Sequence, residues 1–279
     1  MVPRIFRPKP QVLIAHKANH RLRSLRYVQC SADNMTSAAS VPSCAVLLRS
    51  LCRSNGALLR QKVALLDALR RGGPDEISAA NEMFAKPCPI VGASIGQHLR
   101  HSMDHMELAA LVASERCRRA VAMGVTDEPA DAEEEPAQIH YDLRVRGGTL
   151  ETDMSESLKR IVAVGNVLEE INAAVGGVSS EAEEQDREER LASHIVHGPV
   201  HANFYLTVDA DGESSESALP STVGRELGFA GHHAIHHMAM VKVIALHSAG
   251  LEEEDLPKDF GRAPSTVRYD KDLEISFSN

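Results

Sequence analysis

The chain has no tryptophan, and its four tyrosines and six phenylalanines are outnumbered by 14 histidines. A core this poor in aromatic rings must be filled by aliphatic side chains, and the histidines call for a reason other than packing. No run of about 18 uninterrupted apolar residues exists, so no transmembrane helix and no membrane partner are expected. The five cysteines (Cys30, Cys44, Cys52, Cys88 and Cys117) are odd in number and never stand in a C-x-x-C spacing. That excludes a disulfide framework and a cysteine zinc finger, and it reads as reduced thiols in an intracellular compartment. Phosphate loops, dinucleotide fingerprints and a Ser-His-Asp arrangement are also missing.

Acidic residues are absent from the first 32 positions, which carry Arg4, Arg7, Lys9, Lys17, Arg21, Arg23 and Arg26. Residues 1–40 therefore read as a separate basic segment of the kind that directs import into mitochondria or plastids. A translation start at Met35 accounts for the same composition and would leave the protein cytoplasmic. The chain as a whole is nevertheless acidic: net charge is −9 over 279 residues, with a pI near 5.9. Such a field repels phosphate backbones, so nucleic acid is not the expected partner. With 43% hydrophobic residues the chain has enough apolar material for one good-sized domain, expected over residues 45–270 with a tail at 271–279.

Four long helices are legible. Leu48, Leu51, Leu59, Val63, Leu66 and Leu69 recur at helical spacing and stop before Gly72-Gly73-Pro74. Ser94 with Gln97 forms a capping-box signal opening a second helix to about residue 120. Asp153 with Glu156 opens a third, whose apolar stripe runs through Leu158, Ile161, Leu168 and Ile171. Pro220 and Ser221 are expected to start the fourth, ending near Gly250. Residues 127–136 and 179–193 are highly charged and read as solvated insertions, the second as a loop or exposed helix. HANFYLTVD (201–209) favours a short extended segment or edge hairpin before the last helix. The economical architecture is all-α: an antiparallel four-helix bundle with acidic loop insertions.

The histidines cluster on two of these helices. His233 and His237 are four residues apart, so both imidazoles leave one face and reach one ion; His232 and His236 form a second pair pointing about 80–120° away. On the same wheel Glu226 lies within about 20° of His233 and His237, which makes it a candidate catalytic residue: an orienter of imidazole or a proton acceptor. In QHLRHSMDH, His98, His101 and His105 share an arc of about 60°. Any one of these histidines is easily a hydrogen-bonded core residue. Two stripes on separate helices are harder to explain that way, because burying them unpaired costs desolvation energy. A divalent ion is expected, zinc or nickel being best suited to imidazole. Asp142, Arg144 and Arg146 alternate as if on one side of a strand, either an anion-binding rim or a salt-bridge cluster with Glu151, Asp153 or Glu226.

Four segments also resemble a known family: SIGQHLRHSMDH (94–105), HYDLRVRGGTLETD (140–153), STVGRELGFAGHHAIHH (221–237) and FGRAPSTVRY (260–269) are similar to the DinB-like metal-binding four-helix bundles. The resemblance implies a metal held by one histidine of the second helix and the H-x-x-x-H pair of the fourth, which map onto His101, His233 and His237. His98 or His105 takes the place of His101 if the register differs. Members that act as thiol transferases follow the pair with Arg-Gly-Gln, where this chain has Met238-Ala239-Met240, a departure that weighs against thiol transfer.

Two functions remain in play. A metal-dependent enzyme, of the thiol-dependent transferase or hydrolase class, would act on a small-molecule substrate at an open coordination position. A non-catalytic module, stapled by a closed site of four protein ligands, would instead offer a surface to another protein. A homodimer is compatible with either.

Overall fold

Capping chemistry starts two of the long helices, those after Ser94 and Asp153, where the sequence marks them, and Ser43 caps a third. The computed structural model of the chain describes residues 41–70, 77–124, 135–143, 145–176, 182–206 and 215–277. The basic N-terminal segment and most of the acidic stretch 127–136 lie outside the described residues. Within them the chain is mostly helical: α1 (Cys44–Leu69), α2 (Ile77–Ala85), α3 (Ile95–Met123), α4 (Met154–Ala174), α5 (Ala182–Val196), α6 (Val223–Ser248) and α7 (Pro264–Phe277). Ser43 Oγ accepts from the Val46 N–H at the start of α1. At α3 the capping box is complete, with Ser94 Oγ accepting from Gln97 N–H at 3.1 Å and Gln97 Oε1 accepting from Ser94 N–H at 3.0 Å. Asp153 caps α4 by accepting from the N–H groups of Ser155 and Glu156.

An all-α class is corrected by a three-stranded sheet of β1 (Ala137–His140), β2 (Pro199–Tyr205) and β3 (Glu216–Thr222), in the order β1-β2-β3. β1 runs parallel to β2 with Ala137 opposite Val200, and β2 and β3 form an antiparallel pair with His201 opposite Pro220. Pro220 and Ser221, expected to open the last helix, belong to β3. An edge strand tolerates the missing proline N–H, and the helix begins only at Val223, capped by Thr222 Oγ1. The expected strand over 142–146 is also corrected. After His140 the chain bends, so Asp142 and Arg146 share no strand face, and Arg144 lies outside the described residues.

The charged stretch after residue 181 is α5. Leu191, Ala192, Ile195 and Val196 are buried in its second half, and Glu189 accepts from the N–H groups of Cys44 (2.6 Å) and Ala45 (3.0 Å), satisfying the first turn of α1. In FGRAPSTVRY, Phe260 is buried, and α7 then runs to Phe277, past the expected boundary at 270. The four described cysteines are free thiols. Among the described residues no helix is long and apolar enough to cross a membrane.

α3 packs against both α6 and α4, and α1 against both α4 and α6. The core between them is aliphatic, with Leu48, Leu65, Leu66, Ile95, Leu99 and Met106 at 2% exposure or less. One lysine sits inside it. Lys62 of α1 is fully buried and donates to Ser102 Oγ on α3. The N-terminal end of α3 is pressed against the 3-10 turn at Thr149–Glu151, where a Cβ on Gly96 would lie 2.1 Å from the Glu151 carbonyl oxygen. Arg100 fixes the same turn from its side chain, donating to Glu151 at 3.0 Å and to Asp104 at 2.6 Å.

Candidate metal centre

Because α3 and α6 lie against each other, the two histidine stripes meet. His101, His105 and His233 each bring a ring nitrogen into one group whose atoms all lie within 4.8 Å of one another. His101 Nε2 is 3.3 Å from His233 Nε2, and His233 Nε2 is 3.1 Å from His237 Nε2. A tetrahedral ion with bonds of about 2.0–2.1 Å separates its nitrogen ligands by about 3.3 Å, so these spacings already match the edges of such a polyhedron. His237, which the resemblance places in the triad, stands outside this group of three and adjoins it through His233. The His105 ring is 4.1 Å from that of His233 and the His237 ring 4.6 Å from that of His101, centroid to centroid.

His98 stands behind His237, the two Nδ1 atoms 2.8 Å apart. This contact leaves His237 Nε2 facing the group. Burial, then the neighbouring His233, His101, His98 and His236 rings, push the His237 pKa down to about 2; burial also lowers that of His98, His236 adding to it. The neutral imidazole is the form that ligates, so His237 needs no proton removed before it can bind. His232 and His236 are exposed on the outer side of α6, as the wheel predicts.

The cluster has an aromatic wall that sequence reasoning missed. Tyr141 stacks on His105 at 4.4 Å and 11°, Phe229 lies face to face with His233 at 5.6 Å and 27°, and Phe204 from β2 stacks on Tyr141 at 5.1 Å. Three of the chain's ten Phe and Tyr residues thus gather at one site, Phe204 from β2 and Tyr141 from the bend directly after β1. The signal was the scarcity itself: HANFYLTVD and HYDL are aromatic-bearing segments in a chain that has little else.

Glu226 is fully buried, but its partners are elsewhere than the sequence suggests. Tyr141 Oη donates to Oε2 at 2.6 Å, and Oε1 accepts from Ser221 at 2.5 Å and from Arg225 at 2.7 Å. Burial and this bond to a carboxylate raise the Tyr141 pKa, keeping the phenol protonated. Glu226 therefore reaches the histidines through Tyr141 and its stack on His105.

Beside the cluster a pocket of about 370 Å³ opens to solvent, lined among others by Gln97, His98, His101, Arg146, Glu151 and His237. A second groove of about 390 Å³ lies between α1 and α4, with Cys52, Gly56 and Gly165 on its walls and no histidine. Of these two, the first adjoins the histidine cluster.

No family model matches the chain, and no solved structure does. FK506-binding protein 5 of Rhizopus delemar is 30% identical over 133 residues, 48% of this chain and 28% of that protein. The chain thus spans under a third of the curated relative's length.

Proposed function

We propose that the protein is a DinB-like four-helix bundle, formed by α1, α3, α4 and α6, that binds one divalent metal ion through three histidines and acts as a metal-dependent enzyme on a small molecule. The observation that carries this reading is the convergence of His101, His105 and His233, from two helices, with ring nitrogens all within 4.8 Å of one another and His237 a further 3.1 Å from His233. The cyclic packing of the four long helices supports the bundle, and the four resembling segments support the family. Zinc or nickel suits the all-nitrogen donor set. Such an ion, held by neutral ligands, keeps its positive charge and lowers the pKa of a bound water or thiol, the chemistry of a hydrolase or a thiol-dependent transferase. Glu226 and Tyr141 position His105. The relative's name speaks of FK506, but the match spans too little of that protein to bring its ligand here.

A non-catalytic module is the second reading, and one observation favours it: with both His105 and His237 beside His233, four imidazoles are on hand to close the shell. Tag-free protein analysed for metal separates the readings from their alternatives. About one zinc or nickel per chain is expected, lost in the double variant His233→Ala/His237→Ala and kept in His232→Ala/His236→Ala. A protein that neither carries nor takes up either metal would end the proposal. In cobalt-substituted protein, a visible spectrum indifferent to millimolar thiol would make the closed structural site the better reading.

A further inference from the structure

Three features of the molecule have no part in holding the ion. The groove between α1 and α4 mixes Arg53, Arg60 and Glu169 with an apolar floor and favours no single class of occupant, and the buried Lys62 has no access to solvent. The third is Arg146, which lines the pocket at the histidines. Arginines in such a pocket are normally committed, as Arg100 is: it is 8% exposed and held between Glu151 and Asp104. Arg146 is different. It is exposed and makes no ion pair or hydrogen bond among the described residues. The sequence offered Glu151, Asp153 and Glu226 as its structural partners, and each of these carboxylates is engaged elsewhere, by Arg100, by the start of α4, and by Tyr141, Ser221 and Arg225.

The backbone presents this side chain. Gly147 takes φ +71°, a conformation that L side chains rarely adopt, in the segment between β1 and the 3-10 turn, and the turn is itself pinned on α3 by the close approach at Gly96. Arg146 thus stands on a segment anchored at its far end, beside the mouth and facing the same volume as His98, His101 and His237.

We infer that the pocket takes a small ligand carrying a carboxylate, whose anionic end is bound by Arg146 while its donor atom meets the histidine centre. The inference rests on the metal reading above. A guanidinium presents paired N–H donors matched to a carboxylate. The surroundings favour a monoanion over a phosphate: Glu151 lines the same pocket and the chain is acidic overall. A volume of about 370 Å³ lies at the lower end of small-molecule sites, which span roughly 300–1,000 Å³, and excludes a macromolecular substrate from the pocket itself.

The test uses cobalt-substituted full-length protein and its visible spectrum, titrated with mercaptoacetate, the next two longer mercapto acids, and the neutral amides of all three. Binding of at least one acid about 10-fold to 100-fold tighter than its amide is expected, the range that a charge-assisted hydrogen bond supplies. In Arg146→Met that preference disappears while amide affinity stays unchanged; in Arg146→Lys part of it returns. Equal affinity for acids and amides in the wild type, or a preference that survives Arg146→Met, overturns the inference and leaves the metal reading standing. A protein without metal, or one whose spectrum no thiol changes, overturns it together with the open-site reading.

Discussion

Replacing Lys62 by Met removes the ionisable group whose place in the core is hardest to reconcile with its charge. Lys62 is 0% exposed, and Ser102 Oγ accepts from its ammonium. Desolvation, followed by the positive Arg160, moves its pKa from 10.5 to about 7, with Asp104 acting in the opposite sense. At 1.36 kcal/mol per pKa unit, holding the charged form in the fold costs on the order of 5 kcal/mol. The sign follows from proton counting. Between about pH 7 and 10.5 the unfolded chain holds more protons at this site than the folded chain does, so stability rises with pH through that window; below about 7 both forms are charged and the cost is constant. Linkage then gives a penalty of about 5 kcal/mol at pH 6 and about 2 kcal/mol at pH 9. Wild type should therefore gain about 3 kcal/mol between these pH values that Lys62→Met cannot gain. Any packing difference between Lys and Met is the same at both pH values and cancels. Urea unfolding of the two proteins at pH 6 and pH 9, at one ionic strength, reads the difference directly. Parallel stability across the range would refute the argument and mean that Lys62 titrates near its ordinary value in the fold.

Gly96→Ala should destabilise by about 2–3 kcal/mol, because its Cβ would meet the Glu151 backbone and neither α3 nor the turn can yield without moving the pocket rim; thermal unfolding checks it, and an unchanged midpoint would show that the rim gives way. Tyr141→Phe keeps the ring on His105 but leaves buried Glu226 without one donor, so a loss of about 1–3 kcal/mol in urea unfolding is expected with metal content unchanged. Loss of metal in that variant would instead tie the phenol to the centre itself.

How much of this was readable depends on whether the signal is local. Ser94 and Gln97 sit three residues apart and satisfy each other, so the start of α3 needs no tertiary information; at α4 only half of the expected box forms, because Asp153 caps the first turn while its own N–H goes to the Thr149 carbonyl and not to Glu156. Pro220 misleads because a local rule has two solutions: proline suits both a first helical turn and an edge strand, and only the pairing with His201 decides. β1 pairs in parallel with a strand some 60 residues away, and nothing within four residues of Ala137 announces it. Lys62 did leave a trace. It falls between Leu59 and Leu66 on the buried stripe of α1, a charged residue at a core position of a helix that is otherwise correctly read.

The histidine site divides along the same line. A helical wheel keeps angle and discards rise, and for residues four apart that loss is small, so His233 and His237 were placed inward and His232 and His236 outward, as they stand. For Glu226 the loss decides the outcome. Seven residues separate it from His233, a rise of about 10 Å at 1.5 Å per residue, so the same angular stripe puts its carboxylate two turns above the centre. There it meets Tyr141 from the bend after β1, which the wheel does not contain at all. The contact between Glu226 and the histidines therefore passes through a stacked ring that follows β1, the strand the local pattern concealed, whereas the hairpin of β2 and β3 was announced by HANFYLTVD. A carboxylate in this position tunes the placement of His105, and its substitution should be felt first in the fold around Tyr141 and only then at the centre.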